Sequence, residues 1–196
     1  MTRKSMRTRA TKETEITIQL VIEGTGQIRT STGLPFFDHM LAQLGKHAGF
    51  DLAIYAQGDL EIDAHHTVED VGILLGELLR EALGDKAGVR RFASVAVPLD
   101  EALIEVALDL SGRPYLHYDV TFPGEKILGD PPFDPQLCEE FFRGFTMASM
   151  CTLHIVCVRG KNTHHIIEAS FKAVARALRD AVRIEGSDVP STKGTL

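Results

Sequence analysis

The stretch DAHHTVEDVG at residues 63–72 and its counterpart NTHHIIEASF at 162–171 decide how this chain is read. Each sets two adjacent histidines three residues ahead of a glutamate, as HHxxE, and each opens a run with helical apolar spacing. On an α-helix, positions four apart lie about 40° from one another round the axis, so His65 can share an ion with Glu69, and His164 with Glu168. Neighbours differ by about 100°, so His65 and His66 point apart, as do His164 and His165. One metal per pair would leave a histidine unused. Two metals, each taking one histidine from each repeat and completed by a carboxylate, would use all four. The expectation is a paired-metal site with crossed ligation, all four imidazoles meeting in one pocket; spacing leaves open which glutamate serves which ion. Imidazole nitrogen with carboxylate oxygen suits Mn, Fe, Zn, Ni or Co. No cysteine lies near either motif, which argues against a structural zinc site.

Outward from the two motifs, the halves read alike. With the histidine pairs superimposed, Glu69 matches Glu168, Leu79 matches Leu178, Arg80 matches Arg179 and Ala82 matches Ala181. An aromatic pair, Phe36-Phe37 or Phe141-Phe142, begins the preceding helical run in each half. Such self-similarity implies a duplicated unit, approximately 10–92 and 93–190, within a single domain spanning 1–196. Apolar periodicity predicts helices at 34–50, 65–85, 136–150 and 160–182. Strands are expected at 14–22, 51–57, 59–64, 93–100, 101–110 and 151–158, with 27–30 pairing back as a short strand. A Pro- and Gly-rich loop occupies 121–135, and the tail at 190–196 has no pattern of its own.

Composition bounds the function. A net charge of -6 opposes general nucleic-acid binding, which needs a basic face. The first ten residues, MTRKSMRTRA, are basic but have no apolar centre, so they read as neither signal peptide nor membrane span. The three cysteines, Cys138, Cys151 and Cys157, lack CxxC spacing and suit buried free thiols in a reducing compartment. The expected location is the cytoplasm, with no membrane partner.

Further histidines extend the candidate set. His39 precedes the first pair by 26 residues, and His47 lies eight beyond it on roughly the same helical face. His154 sits in a strand and could face either way; His117, between Tyr115 and Tyr118, fits a strand surface.

Taken in order, FFDHMLAQLGKHAGFDL, DAHHTVEDVGI, PLDEAL, DLSGRPYL, TLHI, NTHHIIEASFKAVARALR and PSTKG resemble the imidazoleglycerol-phosphate dehydratase family of histidine biosynthesis, from about residue 8 to the C-terminus. The resemblance implies an α/β (α+β) fold of duplicated half-domains, each a four-stranded sheet with helices on one face, of the ribosomal protein S5 domain 2-like kind. It implies a homo-oligomer, an octahedral 24-mer with sites shared between chains, holding two Mn2+ per active site. The reaction it implies dehydrates D-erythro-imidazole glycerol phosphate, a small phosphorylated imidazole, to imidazole acetol phosphate.

The family's metal ligands carry over to His39, His65, His66, Glu69, His164, His165 and Glu168. Where the family often has a further histidine, this chain has Glu140, 24 residues before His164. Duplication would give Glu140 the part of His39, with His154 or water as the alternatives. The phosphate would meet Arg91, Arg113, Lys172, Ser191 and Lys193, with His47 nearby; forked guanidinium donors suit a dianion. Glu13 would approach the substrate, and His39, His65 and Glu69 would also contact it. Two cations against the two ring nitrogens would act as Lewis acids and template. Glu168, Glu69 or Glu13 would take the proton, with Glu168 favoured. Two other classes fit the metal ligands alone: a metal-storage protein, which has no need of phosphate donors, and a dinuclear metallohydrolase of phosphoesters, which would release phosphate.

Overall fold

A computed structural model describes residues 2–124 and 126–196; Met1, in the basic N-terminal stretch, and Glu125, in the Pro- and Gly-rich loop, lie outside the described residues. The first half runs β1 (Lys4–Ala10), β2 (Thr14–Val21), β3 (Ile28–Ser31), α1 (Pro35–Ala48), β4 (Asp51–Gly58) and α2 (His65–Leu83). The second runs β5 (Phe92–Leu99), β6 (Ala102–Asp109), β7 (Tyr115–Asp119), α3 (Leu137–Ser149), β8 (Thr152–Arg159) and α4 (Thr163–Ala181). Each half makes a four-stranded mixed sheet of the same order, β1-β2-β4-β3 and β5-β6-β8-β7. In both, the third strand lies parallel on the fourth and the other pairs are antiparallel. The α/β architecture expected from the sequence is the one observed.

Period-two alternation explains the sheets. In β2, Ile16, Ile18 and Leu20 are buried while Glu15 and Gln19 face outward; in β6, Ile104, Val106 and Leu108 are buried while Glu105 and Ala107 are exposed. The helices cover the buried face of each sheet, and the halves join helix to helix: α1 packs on α4, and α2 on α3. At the second contact a Cβ on Gly72 would stand 2.5 Å from the Phe141 carbonyl oxygen, so only glycine admits this approach. Phe37, Phe133, Phe141, Phe142, Phe145 and Phe171 fill the interior.

One expected strand does not form, and one strand forms where the sequence carries no pattern for it. Residues 59–64 form turns rather than a strand, because both edges of β4 are already paired, with β2 and with β3. The basic N-terminus, by contrast, forms β1. It has almost no apolar pattern, and charge secures it: Arg7 pairs with Glu77 and Glu81 on α2, and Arg9 with Asp70 at 2.6 Å. The short strand expected at 27–30 is β3, and it runs parallel to β4.

Candidate metal centre and phosphate pocket

Both HHxxE motifs open helices. His65 is the first residue of α2, and His164 the second of α4. The Asn162 side chain caps α4 by accepting hydrogen bonds from the His164 and His165 backbone N–H groups, which sets the start of the helix. The adjacent rings diverge as helix geometry requires, at interplanar angles of 86° for His65/His66 and 82° for His164/His165. His164 Nε2 lies 2.9 Å from Glu168 Oε2, and His65 Nε2 lies 3.8 Å from Glu69 Oε2.

Packing across the halves adds a third donor to each pair. His39, on α1, comes within 3.2 Å of Glu168 Oε2; Glu140, on α3, joins His65 and Glu69. The result is two triads, His39–His164–Glu168 and His65–Glu69–Glu140, whose ligand atoms lie within 4.8 Å of one another. Glu140 therefore occupies in one triad the place that His39 occupies in the other. His154 is not part of this triad: its ring lies on the outer face of β8, 5.3 Å from that of His117. The Phe36 ring meets His164 edge-on at 5.2 Å and also packs on Phe133, so the first residue of the aromatic pair on α1 supports the His164 ring.

The expected single pocket of four imidazoles does not form within one chain. Among the described residues, no cluster of ligand atoms joins the two motifs, because α2 packs on α3 and α4 on α1. His66 and His165 turn away from the triads. His66 Nδ1 lies 3.0 Å from Asp59 Oδ2, and His165 Nδ1 lies 2.7 Å from Glu101 Oε2. The Asp59 hydrogen bond, with Glu13 adding to it, raises the His66 pKa against the effect of burial. Glu13 itself is half-exposed, 4.0 Å from His66 Nδ1.

Glu168 is the most tightly held carboxylate. Burial pushes its pKa up, but hydrogen bonds from Lys172 at 2.6 Å, His164 and His39 prevail and hold it at about 2. Lys172 is thus engaged by Glu168, one turn away on α4. His47 Nε2 lies 3.2 Å from Gln43 Oε1, and its pKa is lowered by burial and by Lys172 and Arg176.

Arg91, Arg113, Ser191 and Lys193 line one cavity of about 600 Å³ with Pro190, Thr192 and Thr195. Neither Lys172 nor His47 lines it within this chain. Asp109 grips Arg91 side-on, at 2.7 Å to Nε and 3.1 Å to Nη2, and Arg91 Nη1 donates to the Pro190 carbonyl at 2.7 Å. Arg91 thereby ties the patternless C-terminal tail to the pocket. Sequence reasoning missed Asp59, Glu101 and Asp109. Two of them stood inside quoted motifs, PLDEAL and DLSGRPYL, but a carboxylate that orients another side chain carries no spacing signal.

Two imidazoles with a carboxylate, and one imidazole with two carboxylates, are donor sets that fit a first-row divalent cation, and neither contains sulfur.

A family model described as Imidazoleglycerol-phosphate dehydratase matches residues 32–178. The imidazoleglycerol-phosphate dehydratase of Acidothermus cellulolyticus is 56% identical over 96% of this chain and 90% of its own length. That of Gluconobacter oxydans is 55% identical over 96% of this chain and 95% of its own. Among solved structures, the imidazoleglycerol-phosphate dehydratase of Staphylococcus aureus superposes with a TM-score of 0.81 at 40% identity, covering 94% of this chain and 99% of that one. IGPD from Pyrococcus furiosus gives 0.83 at 38%, covering 97% and 100%.

Proposed function

This chain belongs to the imidazoleglycerol-phosphate dehydratase family, and from that premise we propose that it dehydrates D-erythro-imidazole glycerol phosphate to imidazole acetol phosphate in histidine biosynthesis. The observation that carries the reading is the pair of N/O triads related by the duplication, His39–His164–Glu168 and His65–Glu69–Glu140. Together with His66 and His165 they would hold two Mn2+ ions. Bound there, the cations would supply Lewis-acid polarisation of the substrate's imidazole ring.

The chain's own residues do the rest. Arg91, Arg113, Ser191 and Lys193 receive the phosphate at one end of the substrate, with charge-assisted hydrogen bonds from the two guanidinium groups. Net loss of water removes a proton from the carbon adjacent to the ring-bearing carbon and hydroxide from the ring-bearing carbon; the enol so formed ketonises. Glu168, held at about 2 by Lys172 and the two histidines, is a weak proton acceptor. Glu69 belongs to a triad. Glu13 is the more open carboxylate, and its exposure supports it as the base.

His66 and His165 face away from their own chain's triads, which supports a homo-oligomer in which a second copy completes each site. A 24-mer is the assembly the family resemblance implies. A single domain of two duplicated halves fits the matching strand orders. Among the described residues, no helix is long and apolar enough to cross a membrane, in keeping with a cytoplasmic enzyme of small-molecule metabolism.

Incubation of the purified protein with imidazole glycerol phosphate and Mn2+ tests this. Ketone formation with the phosphate retained is expected. Release of inorganic phosphate instead would make it a phosphoester hydrolase, and no turnover would leave only metal binding.

A further inference from the structure

The second histidine of each motif is held by a carboxylate, but the two halves find that carboxylate in different places. Glu13 immediately precedes β2 and Glu101 immediately precedes β6, so they occupy equivalent positions in two sheets of the same order. Glu101 is fully committed. Its Oε2 lies 2.7 Å from His165 Nδ1, and its Oε1 accepts the backbone N–H groups of Lys161 and Asn162 at 3.0 and 2.7 Å. Glu13 stands back at 4.0 Å from His66, because Asp59 takes the Nδ1 at 3.0 and 3.2 Å. Asp59 comes from the β4–α2 connection, residues 59–64; the matching β8–α4 connection is only 160–162 and has no room for a counterpart.

A neutral imidazole has one N–H and one lone pair, and a carboxylate at Nδ1 selects the tautomer whose lone pair is on Nε2. We infer that Asp59 and Glu101 are the positioning residues of His66 and His165, each presenting an Nε2 lone pair to a divalent cation, and that Asp59 releases Glu13 for the substrate. This rests on the metal reading above. The duplication thus assigns one ancestral turn position two tasks: ring orientation in the second half and substrate contact in the first.

Manganese binding to the assembled enzyme, stripped and reloaded, is the test, read by calorimetry and by Mn2+ paramagnetic resonance. Asp59→Ala and Glu101→Ala are each expected to weaken binding about 10–100-fold, as loss of an outer-shell partner does. Asp59→Asn keeps an acceptor oxygen for His66 Nδ1–H and should recover part of that loss. Glu101→Gln has one acceptor oxygen where Glu101 uses two: with that oxygen on the Lys161 and Asn162 N–H groups the turn stays capped, the amide NH2 faces His165 Nδ1, and binding should stay as weak as in Glu101→Ala. Glu13→Ala should bind manganese as the wild type does, although it sits where Glu101 sits. Wild-type affinity in Asp59→Ala and Glu101→Ala, with binding lost in His66→Ala and His165→Ala, would overturn the positioning role and leave the ligand assignment standing. Wild-type affinity in all four variants would overturn the ligand assignment as well.

Discussion

His39 Nε2 lies 3.2 Å from Glu168 Oε2, although the two residues are 129 positions apart and belong to opposite halves. The same Glu168 oxygen lies 2.9 Å from His164 Nε2, and Lys172 holds the other at 2.6 Å. One carboxylate therefore gathers two imidazoles and an ammonium where α1 crosses α4. No local pattern connects His39 to the second motif; the packing of the halves does.

Removing one donor from one triad should empty one site and spare the other. His39→Ala and Glu140→Ala are each expected to weaken manganese at a single site by at least roughly tenfold, since a direct ligand counts for more than an outer-shell partner. Glu140→His should retain binding, because an imidazole there would make the two triads alike. Metal content after dialysis at graded Mn2+ distinguishes these outcomes; equal loss at both sites in either alanine variant would contradict two separate triads.

Acid should reveal how Glu168 is held. Its carboxyl sits at about 2 in the fold against an ordinary 4.5, so its stabilising contribution is complete above about 4.5 and disappears as pH falls toward about 2. In metal-free protein, the stability advantage of wild type over Glu168→Gln should stay constant above that window and shrink within it. Denaturant midpoints measured across the range check the slope; an advantage that grew on acidification would have the wrong sign.

The α2–α3 contact tolerates no side chain at Gly72 or Gly76, where an added Cβ would meet the Phe141 or Phe145 carbonyl. Gly76→Ala should destabilise by about 1–3 kcal/mol through overpacking, lowering the melting temperature by about 2–4 °C per kcal/mol. Because that contact also brings Glu140 to His65, manganese at the His65 triad should weaken more than at the His39 triad. A melting curve beside a metal titration separates this from a general loss of fold.

Arg113 and Arg91 share a pocket but differ in support. The Arg113 side chain is 66% exposed and 3.8 Å from Asp109, whereas Arg91 is locked by Asp109 and bonded to Pro190. Arg113→Ala should raise KM about tenfold, equivalent to about 1.4 kcal/mol, with kcat retained. Arg91→Ala should do the same and also free residues 190–196 for proteolysis. A tail as resistant as in the wild type would refute the tether.

Thiol chemistry should be confined to one cysteine. Cys138 and Cys151 are buried, and burial pushes both thiols up, Cys151 to about 11; Cys157 is only partly buried. Native protein treated with iodoacetamide near pH 8 should label at Cys157 first, since the thiolate is the nucleophile. Mass spectrometry of the digest locates the label.

Much of this was legible because it is local. The 3.6-residue period alone makes His65 face Glu69 and turns His66 away, and the alternation of β2 and β6 follows from a sheet buried on one face. The match between the motifs also pairs Glu140 with His39, and the structure sets the two beside His65 and His164 respectively. β1 has no apolar signal to read, because its pattern is one of charge rather than apolar alternation. The turn at 59–64 has the alternation of a strand, and nothing in its own residues states that both edges of β4 are taken.

By itself, then, the sequence determined which side chains share a helical face and that the chain carries two such faces. Tertiary structure alone decided the partners within the chain: Asp59 rather than Glu13 closest to His66, Lys172 on Glu168, Asp109 behind Arg91, and two separate triads. The reason is range. Backbone geometry relates residues a turn apart, whereas partners a hundred residues apart are chosen by which helix packs on which, and that choice is made by the buried surfaces of the whole chain.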